Sequence, residues 1–212
     1  ARIAEARAAG GALGQSMVAA IPFAGGTQPI SADSGDLMLA RSWLAGLEVT
    51  GADGLPPGSM AGNVLRPRTA LKLSLRLPPT LSAERASTAL REILERDPPY
   101  GATVTFTPGP YGDGWNAPAF APWLSDALER ASTAVFGRSF AAAGEGGSIP
   151  IMALLGTSFP DAQFMITGVL GPHSNAHGPN EFLDIRTAQN VTCCVALVLS
   201  DLARRCREDR PE

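Results

Sequence analysis

Thr-Ala-Leu-Lys-Leu-Ser-Leu-Arg-Leu, residues 69–77, is the stretch that decides the fold of the first half of this 212-residue chain. Leucine alternates with lysine, serine and arginine, so an extended backbone places the leucines on one face and the polar side chains on the other. A strand with one wet face is typical of an antiparallel sheet. Pro78 and Pro79 follow directly and are expected to end the strand.

Patterns on both sides of this strand predict an α+β block. Ser82 is a plausible N-cap for apolar residues at helical spacing, and Pro98 is expected to end that helix. Alternating residues predict further strands at 47–50 and 102–107. The block from about residue 43 to 107 is therefore predicted to run strand, strand, helix, strand.

The second half of the chain has a different pattern. Apolar spacing predicts an amphipathic helix over 120–135 that ends at Gly137, a short helix after the glycines of 144–147, and a long helix from about 187 to 205. The apolar run 163–170 predicts a buried strand. Alternating helices and strands suggest the edge of an α/β layer. The predicted fold class is thus α/β and α+β, with an antiparallel-sheet-plus-helix portion followed by an α/β portion.

Composition and charge exclude several classes of protein. With 45% hydrophobic residues the chain can bury a core, yet no stretch approaches the roughly 20 apolar residues of a membrane-spanning helix. The net charge is −3 and the basic residues are scattered, so neither nucleic acid nor a membrane is an expected partner. Segment 1–11 lacks the apolar core of a signal peptide. Cys193, Cys194 and Cys206 have no metal-binding spacing and favour a reduced, cytoplasmic setting.

Both histidines of the chain, His173 and His177, lie in one segment, Gly-Pro-His-Ser-Asn-Ala-His-Gly-Pro-Asn-Glu at 171–181, which we call the histidine loop. Their spacing suits one face of a helix, but Pro172 before them and Gly178 and Pro179 after them exclude that helix. A loop after a buried strand is a common place for ligands in α/β proteins. A structural role, in which His173 only satisfies the loop backbone, is the alternative.

A second motif, Gly-Glu-Gly-Gly-Ser-Ile-Pro at 144–150, places glycines before a helix. Ser148 is a natural N-cap, and Pro150 suits the first helical turn. Free backbone N–H groups at such a helix start can bind a carboxylate or a phosphate, whereas an ordinary turn with a cap is the alternative. A nucleophilic role for Ser148 is not expected, because the pattern Gly-x-Ser-x-Gly is absent.

The order of these motifs resembles one family of enzymes. Glu-Gly-Gly-Ser-Ile-Pro, an apolar run and then His-x-x-Asn-Glu resemble the C-terminal part of the co-catalytic zinc metallopeptidases, which include carnosine dipeptidases, acetylornithine deacetylase and glutamate carboxypeptidase. Upstream, Gly-Asn-Val-Leu-Arg-Pro at 62–67 and Ser-Leu-Arg-Leu-Pro-Pro at 74–79 resemble the lid segment that leads into that family's Arg-x-x-Pro strand end. The resemblance extends over about residues 40–205.

This resemblance implies a catalytic domain with two zinc ions and an inserted lid that closes over the substrate and forms a homodimer contact. Residues 1–113 would be a portion of the lid and dimerisation domain, and 114–212 the C-terminal part of the catalytic domain. His177 matches the family's C-terminal metal-binding histidine, and Asn63 occupies a lid position that could reach the substrate. Three residues match the place where family members hold the substrate carboxylate, namely Gly146, Gly147 and Ser148.

Two residues of the glycine motif are not expected to bind metal or the substrate carboxylate. Glu145 matches a motif glutamate but is not expected to bind metal, and Gly144 stands where carnosinase-like members have an arginine. This departure counts against a plain dipeptide held by that carboxylate clamp.

The family's other metal ligands and its general base have no counterpart in this sequence. One histidine cannot hold a catalytic zinc that takes three protein ligands. The chain is therefore expected to be the C-terminal portion of a longer peptidase or amidohydrolase, inactive by itself and with no catalytic residue of its own. The substrate would be a small peptide or N-acyl amino acid, and cobalt or manganese could replace zinc. A dimerising interaction module without catalysis, or an anion-binding domain of unrelated function, are the alternatives.

Overall fold

The computed structural model describes residues 2–145 and 149–208. This part of the chain contains helices, short 3-10 turns at Gly58–Met60 and Pro99–Gly101, and one antiparallel sheet. The mixture confirms the predicted fold class. The helices are α1 (Arg2–Ala19), α2 (Ser34–Ser42), α3 (Ala83–Glu95), α4 (Pro122–Phe136), α5 (Pro150–Ser158) and α6 (Ile185–Glu208), and the strands are β1 (Gly46–Asp53) and β2 (Ala70–Arg76).

The sheet pairs the two strands that the alternating patterns predicted. Leu47 lies opposite Leu75 and Val49 opposite Leu73, so both pairs lie on one apolar face. A register shift between Val49 and Gly51 marks a bulge in β1. Leu47 and Val49 are 58% and 59% exposed. The described residues therefore leave this face largely exposed, although a two-stranded sheet has little stability of its own.

Helix α3 begins and ends where the sequence predicts. The hydroxyl of Ser82 accepts a hydrogen bond from the backbone N–H of Arg85 at 3.4 Å and caps the first turn. The helix ends at Glu95, ahead of Pro98, because the residue before a proline is disfavoured in helical conformation. Local signals therefore predict both ends of this element, and Asp113, 30 positions away, also accepts the N–H of Ala83 at 2.6 Å.

The predicted strand at 102–107 is wrong. These residues have no regular secondary structure, and Val104 is 40% exposed rather than inward-facing. The segment contacts α3 instead: the carboxylate of Glu95 accepts the N–H of Phe106 at 2.7 Å, and the Arg91 guanidinium lies 5.9 Å from the centroid of the Phe106 ring. Alternation produces a strand only where a neighbouring strand supplies backbone partners, and here a side chain supplies one.

The predicted buried strand at 163–170 is also wrong. Its residues have no regular secondary structure, and Ile166 is 56% exposed. The side-chain oxygen of Gln163 accepts the N–H of Ala121 at 2.6 Å, while Met165 packs against the helical core. In the described part of the chain the only strand pairing is that of β1 with β2. An apolar run without a pairing partner does not determine backbone conformation.

Helices α4 and α6 pack together and build the main hydrophobic core. Helix α4 has Pro122 in its first turn and ends at Gly137, whose φ of 69° lies in the left-handed region, as the sequence predicts. The Cys194 thiol donates to the backbone oxygen of Ala131 at 3.6 Å, and burial raises the pKa of this thiol. The buried core residues are Leu124, Ala127, Leu128, Ala131, Cys194 and Val198.

The chain divides into two compact units, each assembled from separate parts of the sequence. The first consists of Ala1–Gly14, Pro29–Asn116 and Ala143–Thr157. The second consists of Gln15–Gln28, Ala117–Ala142 and Ser158–Glu212. The sheet lies in the first unit and the α4–α6 core in the second. The division into a lid portion at 1–113 and a catalytic portion at 114–212 stays a prediction.

None of the described helices has the length and apolar character required to cross a membrane.

Candidate functional site

The histidine loop is closed at its base by backbone hydrogen bonds. The N–H of Asp184 donates to the carbonyl of Leu170 at 2.7 Å, and the N–H of Phe182 donates to that of Ser174 at 3.0 Å. Ser174 is buried, and its hydroxyl donates to the carbonyl of Gly171 at 2.9 Å. The predicted loop is confirmed, and its two ends are tied together directly before α6 begins.

Asp184 fixes the start of α6 beside this base. Its carboxylate accepts the N–H of Thr187 at 2.6 Å, which satisfies a donor that the helix itself leaves free. This bond is the main reason that the pKa of Asp184 lies below its ordinary value; the Thr187 hydroxyl and the charge of Arg186 act in the same direction. The carboxylate is therefore retained as an anion at the N-terminus of a helix, where a negative charge is favourable.

The backbone of the histidine loop is unusual because four of its non-glycine residues have positive φ. The values are 61° for His173, 54° for Asn175, 62° for His177 and 58° for Asn180. A left-handed backbone crowds the Cβ atom, so such residues are uncommon outside glycine. Their clustering in one loop is typical of functional sites, where the surroundings hold a conformation that the residues would not adopt alone.

Hydrogen bonds to the backbone of His177 and of the residues beside it hold this part of the loop. The carboxylate of Glu181 accepts the backbone N–H of His177 at 2.9 Å. The Asn175 amide donates to the carbonyl of Pro179 at 2.7 Å, and the N–H of Gly178 donates to the carbonyl of Asn175 at 2.8 Å. The His177 side chain is exposed, so its imidazole is accessible to a ligand.

The other histidine is exposed as well. The structural alternative for His173 requires its side chain to satisfy the loop backbone. Across residues 2–145 and 149–208, the imidazole of His173 makes no hydrogen bond to that backbone.

The described residues include His177, whose metal-binding role stays a prediction, but they form no complete metal site. Among them no group of three or more His, Cys, Asp or Glu side chains could hold an ion. An imidazole is a common ligand of zinc, which takes three protein ligands and an open position in catalytic sites. The part of the chain that the structure describes therefore does not fit a metal centre by itself.

The predicted carboxylate-binding residues Gly146, Gly147 and Ser148 lie outside the described residues. Their role stays a prediction. The residue before them, Glu145, is described: its carboxylate pairs with Arg41 at the end of α2, with distances of 2.8 and 2.9 Å from Nη2 and 3.2 Å from Nε. This arginine is a partner that the sequence did not predict, because the two residues are 104 positions apart.

Gly144 lies close to the same end of α2. A Cβ atom at position 144 would stand 2.7 Å from the Cβ of Ser42 and 3.6 Å from the Nε1 atom of Trp43. Any larger residue at this position would therefore push α2 away. Glycine at 144 therefore permits this segment to lie close to the end of α2, and the Arg41–Glu145 ion pair holds it there.

Asn63, the predicted lid residue, is exposed in an irregular segment after the 3-10 turn at Gly58–Met60. It belongs to the first compact unit together with Glu145, and His177 belongs to the second. The role of Asn63 toward a substrate stays a prediction.

Comparison with known proteins first gives a relative in sequence. No family model matches the chain. The chain is 31% identical over 147 residues to a cysteinylglycine-S-conjugate dipeptidase from Corynebacterium striatum. The matching region covers 66% of this chain and 31% of that relative, so the chain spans less than half of the relative's length.

Three solved structures have a similar fold. An M20 family metallo-carboxypeptidase, Sso-CP2 from Sulfolobus solfataricus, matches 92% of this chain with a TM-score of 0.67 at 17% identity. The dipeptidase Dug1p from Saccharomyces cerevisiae matches 87% with a TM-score of 0.61 at 20% identity, and human carnosine dipeptidase 1 matches 84% with a TM-score of 0.57 at 18% identity. The matches cover 44%, 38% and 38% of those chains. At these identities the likeness concerns the fold.

Proposed function

We propose that this chain, whose resemblance to the M20 metallopeptidases is confirmed by its sequence relative and its fold neighbours, forms part of a zinc-dependent peptidase or amidohydrolase. The proposed reaction is hydrolysis of a peptide or N-acyl amide bond in a small substrate that bears a carboxylate. The names of the relatives, dipeptidases and a metallo-carboxypeptidase, support this class of reaction. The observation that carries the proposal is the exposed imidazole of His177 on a left-handed backbone inside a closed loop.

His177 is the proposed metal ligand of this chain. When bound, the metal would supply an activated water, as zinc does in hydrolases of this type. The contribution of the chain is to present one imidazole nitrogen from a loop that is closed at its base. The general base and the remaining ligands are proposed to lie outside these residues, so we expect the isolated chain to be inactive. Cobalt or manganese could occupy the same kind of ligand set.

The proposed binding of substrate rests on the glycine motif. Backbone N–H groups of Gly146, Gly147 and Ser148, ahead of α5, would bind the substrate carboxylate, since the start of a helix attracts anions. The Arg41–Glu145 ion pair supports this assignment, because it holds the residue directly before Gly146 against α2. Asn63 is the proposed lid contact to the substrate.

The experiment that tests the metal role compares two histidine substitutions in the full-length protein that carries this sequence. His177→Ala should remove one metal equivalent and most of the hydrolysis of a panel of dipeptides and N-acyl amino acids. His173→Ala is the matched control, because it removes an imidazole from a left-handed position of the same loop, and it should retain metal and activity. Unchanged metal content in His177→Ala would contradict the proposal, as would chelator-sensitive hydrolysis by the purified 212-residue chain.

A second candidate function is a dimerising module without catalysis of its own. The open apolar face of the β1–β2 sheet favours it, because exposed apolar patches of this kind mark interaction surfaces. The same face would serve the homodimer proposed for the enzyme, in a reduced, cytoplasmic setting. Light scattering over a range of concentrations tests the module: a monomer at every concentration would contradict both the module and the proposed homodimer.

A further inference from the structure

We propose that Glu181 and Asn175 are positioning residues, which hold His177 in the backbone conformation from which its imidazole is presented. The proposal rests on the metal-binding role given to His177 above. Neither residue is assigned to the metal: each acts on the backbone of the loop.

The conformation at His177 requires support from outside the residue. At φ 62° the Cβ atom is crowded by its own backbone, so an unrestrained histidine would leave this region for an ordinary negative φ. Such a change rotates the Cα–Cβ bond relative to the loop and redirects the imidazole. A ligand nitrogen must keep its direction to bind a metal well. The groups that hold this backbone therefore also determine the direction of the imidazole nitrogen.

Glu181 supplies the first restraint. Its carboxylate accepts the backbone N–H of His177 at 2.9 Å, a hydrogen bond strengthened by the negative charge of the acceptor. The bond spans four residues and closes the segment that contains Gly178 and Pro179. Because this carboxylate oxygen is directed at the backbone, it acts in this geometry as an acceptor for the loop.

Asn175, two residues before His177, supplies the second restraint. Its side-chain amide donates to the carbonyl of Pro179 at 2.7 Å, and its own carbonyl accepts the N–H of Gly178 at 2.8 Å. A Cβ atom at position 178 would lie 2.5 Å from the Asn175 amide nitrogen and 2.6 Å from its oxygen. Glycine at 178 is therefore a condition for this hydrogen bond, so the three residues around His177 depend on one another.

The main test uses the full-length protein with Co²⁺ as the probe, since bound cobalt reports its ligands in the visible spectrum whatever the activity. We expect Glu181→Ala to weaken Co²⁺ binding about tenfold or more, in the range found for residues that orient a ligand. Glu181→Gln keeps an oxygen that can accept the His177 N–H, so it should bind cobalt nearly as the unsubstituted protein does. Wild-type affinity in Glu181→Ala would overturn the proposal.

Equal losses in Glu181→Ala and Glu181→Gln would also overturn it, because an oxygen that can accept the His177 N–H would then have no effect on cobalt binding. Gly178→Ala is a second variant that leaves Glu181 in place. It should displace the Asn175 amide and weaken cobalt binding, as Glu181→Ala does. It therefore tests the positioning role if Glu181→Ala does not fold. Wild-type cobalt binding in a folded Gly178→Ala protein would remove Asn175 from the proposal.

Hydrogen exchange separates a failure of this inference from a failure of the proposed function. If His177→Ala leaves the bound cobalt unchanged, the metal role of His177 is wrong, and the exchange rate of the His177 amide then tests the restraint alone. That rate should rise in Glu181→Ala and stay low in Glu181→Gln, with the Phe182 amide as an internal control at the loop base. If His177→Ala loses cobalt and Glu181→Ala does not, the function stands and the positioning role is wrong.

Discussion

The α4–α6 pair and the β1–β2 pair both bring apolar side chains together, but only the helices bury them. In the helical pair Leu124 is 2% exposed, whereas Leu47 and Val49 of the sheet are 58% and 59% exposed. The two pairs are equally clear as sequence patterns. The difference shows that a periodic apolar pattern specifies the element and its face, while burial depends on a partner for that face.

The largest effect that would sharpen this comparison is expected at the centre of the helical core. Leu124→Ala removes a fully buried side chain and should lower the free energy of unfolding by about 2–5 kcal/mol, as in other large-to-small core substitutions. Denaturant unfolding of both proteins measures it. The matched control is Leu197→Ala on α6, because this leucine is 44% exposed and should cost well under about 2 kcal/mol. Similar losses for the two would contradict the assignment of the core.

A smaller effect is expected where α4 ends. Gly137 has a φ of 69° with no atom near the position of an added Cβ, so the strain of Gly137→Ala lies in the backbone alone. We expect a loss of about 1 kcal/mol, which is the cost of a left-handed conformation for a residue with a Cβ atom. Gly137→Asn should lose less, because asparagine tolerates this region better. Thermal unfolding of the three proteins gives the ranking, and an alanine variant as stable as the wild type would exclude this cap.

In the sheet, a charge placed on the open face distinguishes an uncovered surface from an interface. If nothing covers the face, Leu47→Lys should change the free energy of unfolding by no more than about 0.5 kcal/mol, the usual limit for surface positions. If a second copy covers it, the same change should shift the dimer toward monomer, because an unpaired charge would be buried. Light scattering measures this at matched concentrations. Glu48→Lys, on the other face of β1, is the control and should leave the assembly unchanged.

The smallest effect is the pH dependence that links α4 to α6. Hydrogen bonding to Arg130 lowers the pKa of Asp201, and the charges of Arg130 and Arg204 add to this. A carboxyl group with a lowered pKa in the folded state stabilises the fold above its unfolded pKa. That contribution is lost as the pH falls through the folded pKa.

Thermal unfolding between neutral and acidic pH should therefore show a slightly steeper loss for the wild type than for Asp201→Asn. The difference is small, because Asp201 lies in an exposed network where solvent screens the charges. Identical pH profiles would mean that the ion pairs contribute nothing to stability.

Prediction from the sequence succeeded where the signal was local. The cap at Ser82, the left-handed glycine at 137 and the alternation in 69–77 each depend on residues within a few positions of one another. The prolines and the glycine of the histidine loop likewise excluded a helix there. The same kind of signal failed at 163–170, because a strand needs a partner that no local pattern encodes.

The candidate site divides in the same way. Motif order identified the family resemblance and singled out His177, but it did not indicate how this residue is held. The left-handed backbone at His177 and the hydrogen bond from its N–H to Glu181 are visible only in the folded loop. Gly178 was a partial indication, since a glycine beside a histidine can mark a place where another group comes close to the backbone. Nothing in the sequence identified the Asn175 amide as that group.

The sequence by itself determined helices α3 to α6, the two alternating strands β1 and β2, the irregular histidine loop and the resemblance to the M20 metallopeptidases. Only the tertiary structure decided that 102–107 lies along α3, that Arg41 pairs with Glu145, and that the apolar face of the sheet is open. The physical reason is range. Caps, turns and periodicity are settled by neighbours along the chain, whereas ion pairs, strand pairing and burial depend on which distant residues the fold brings together.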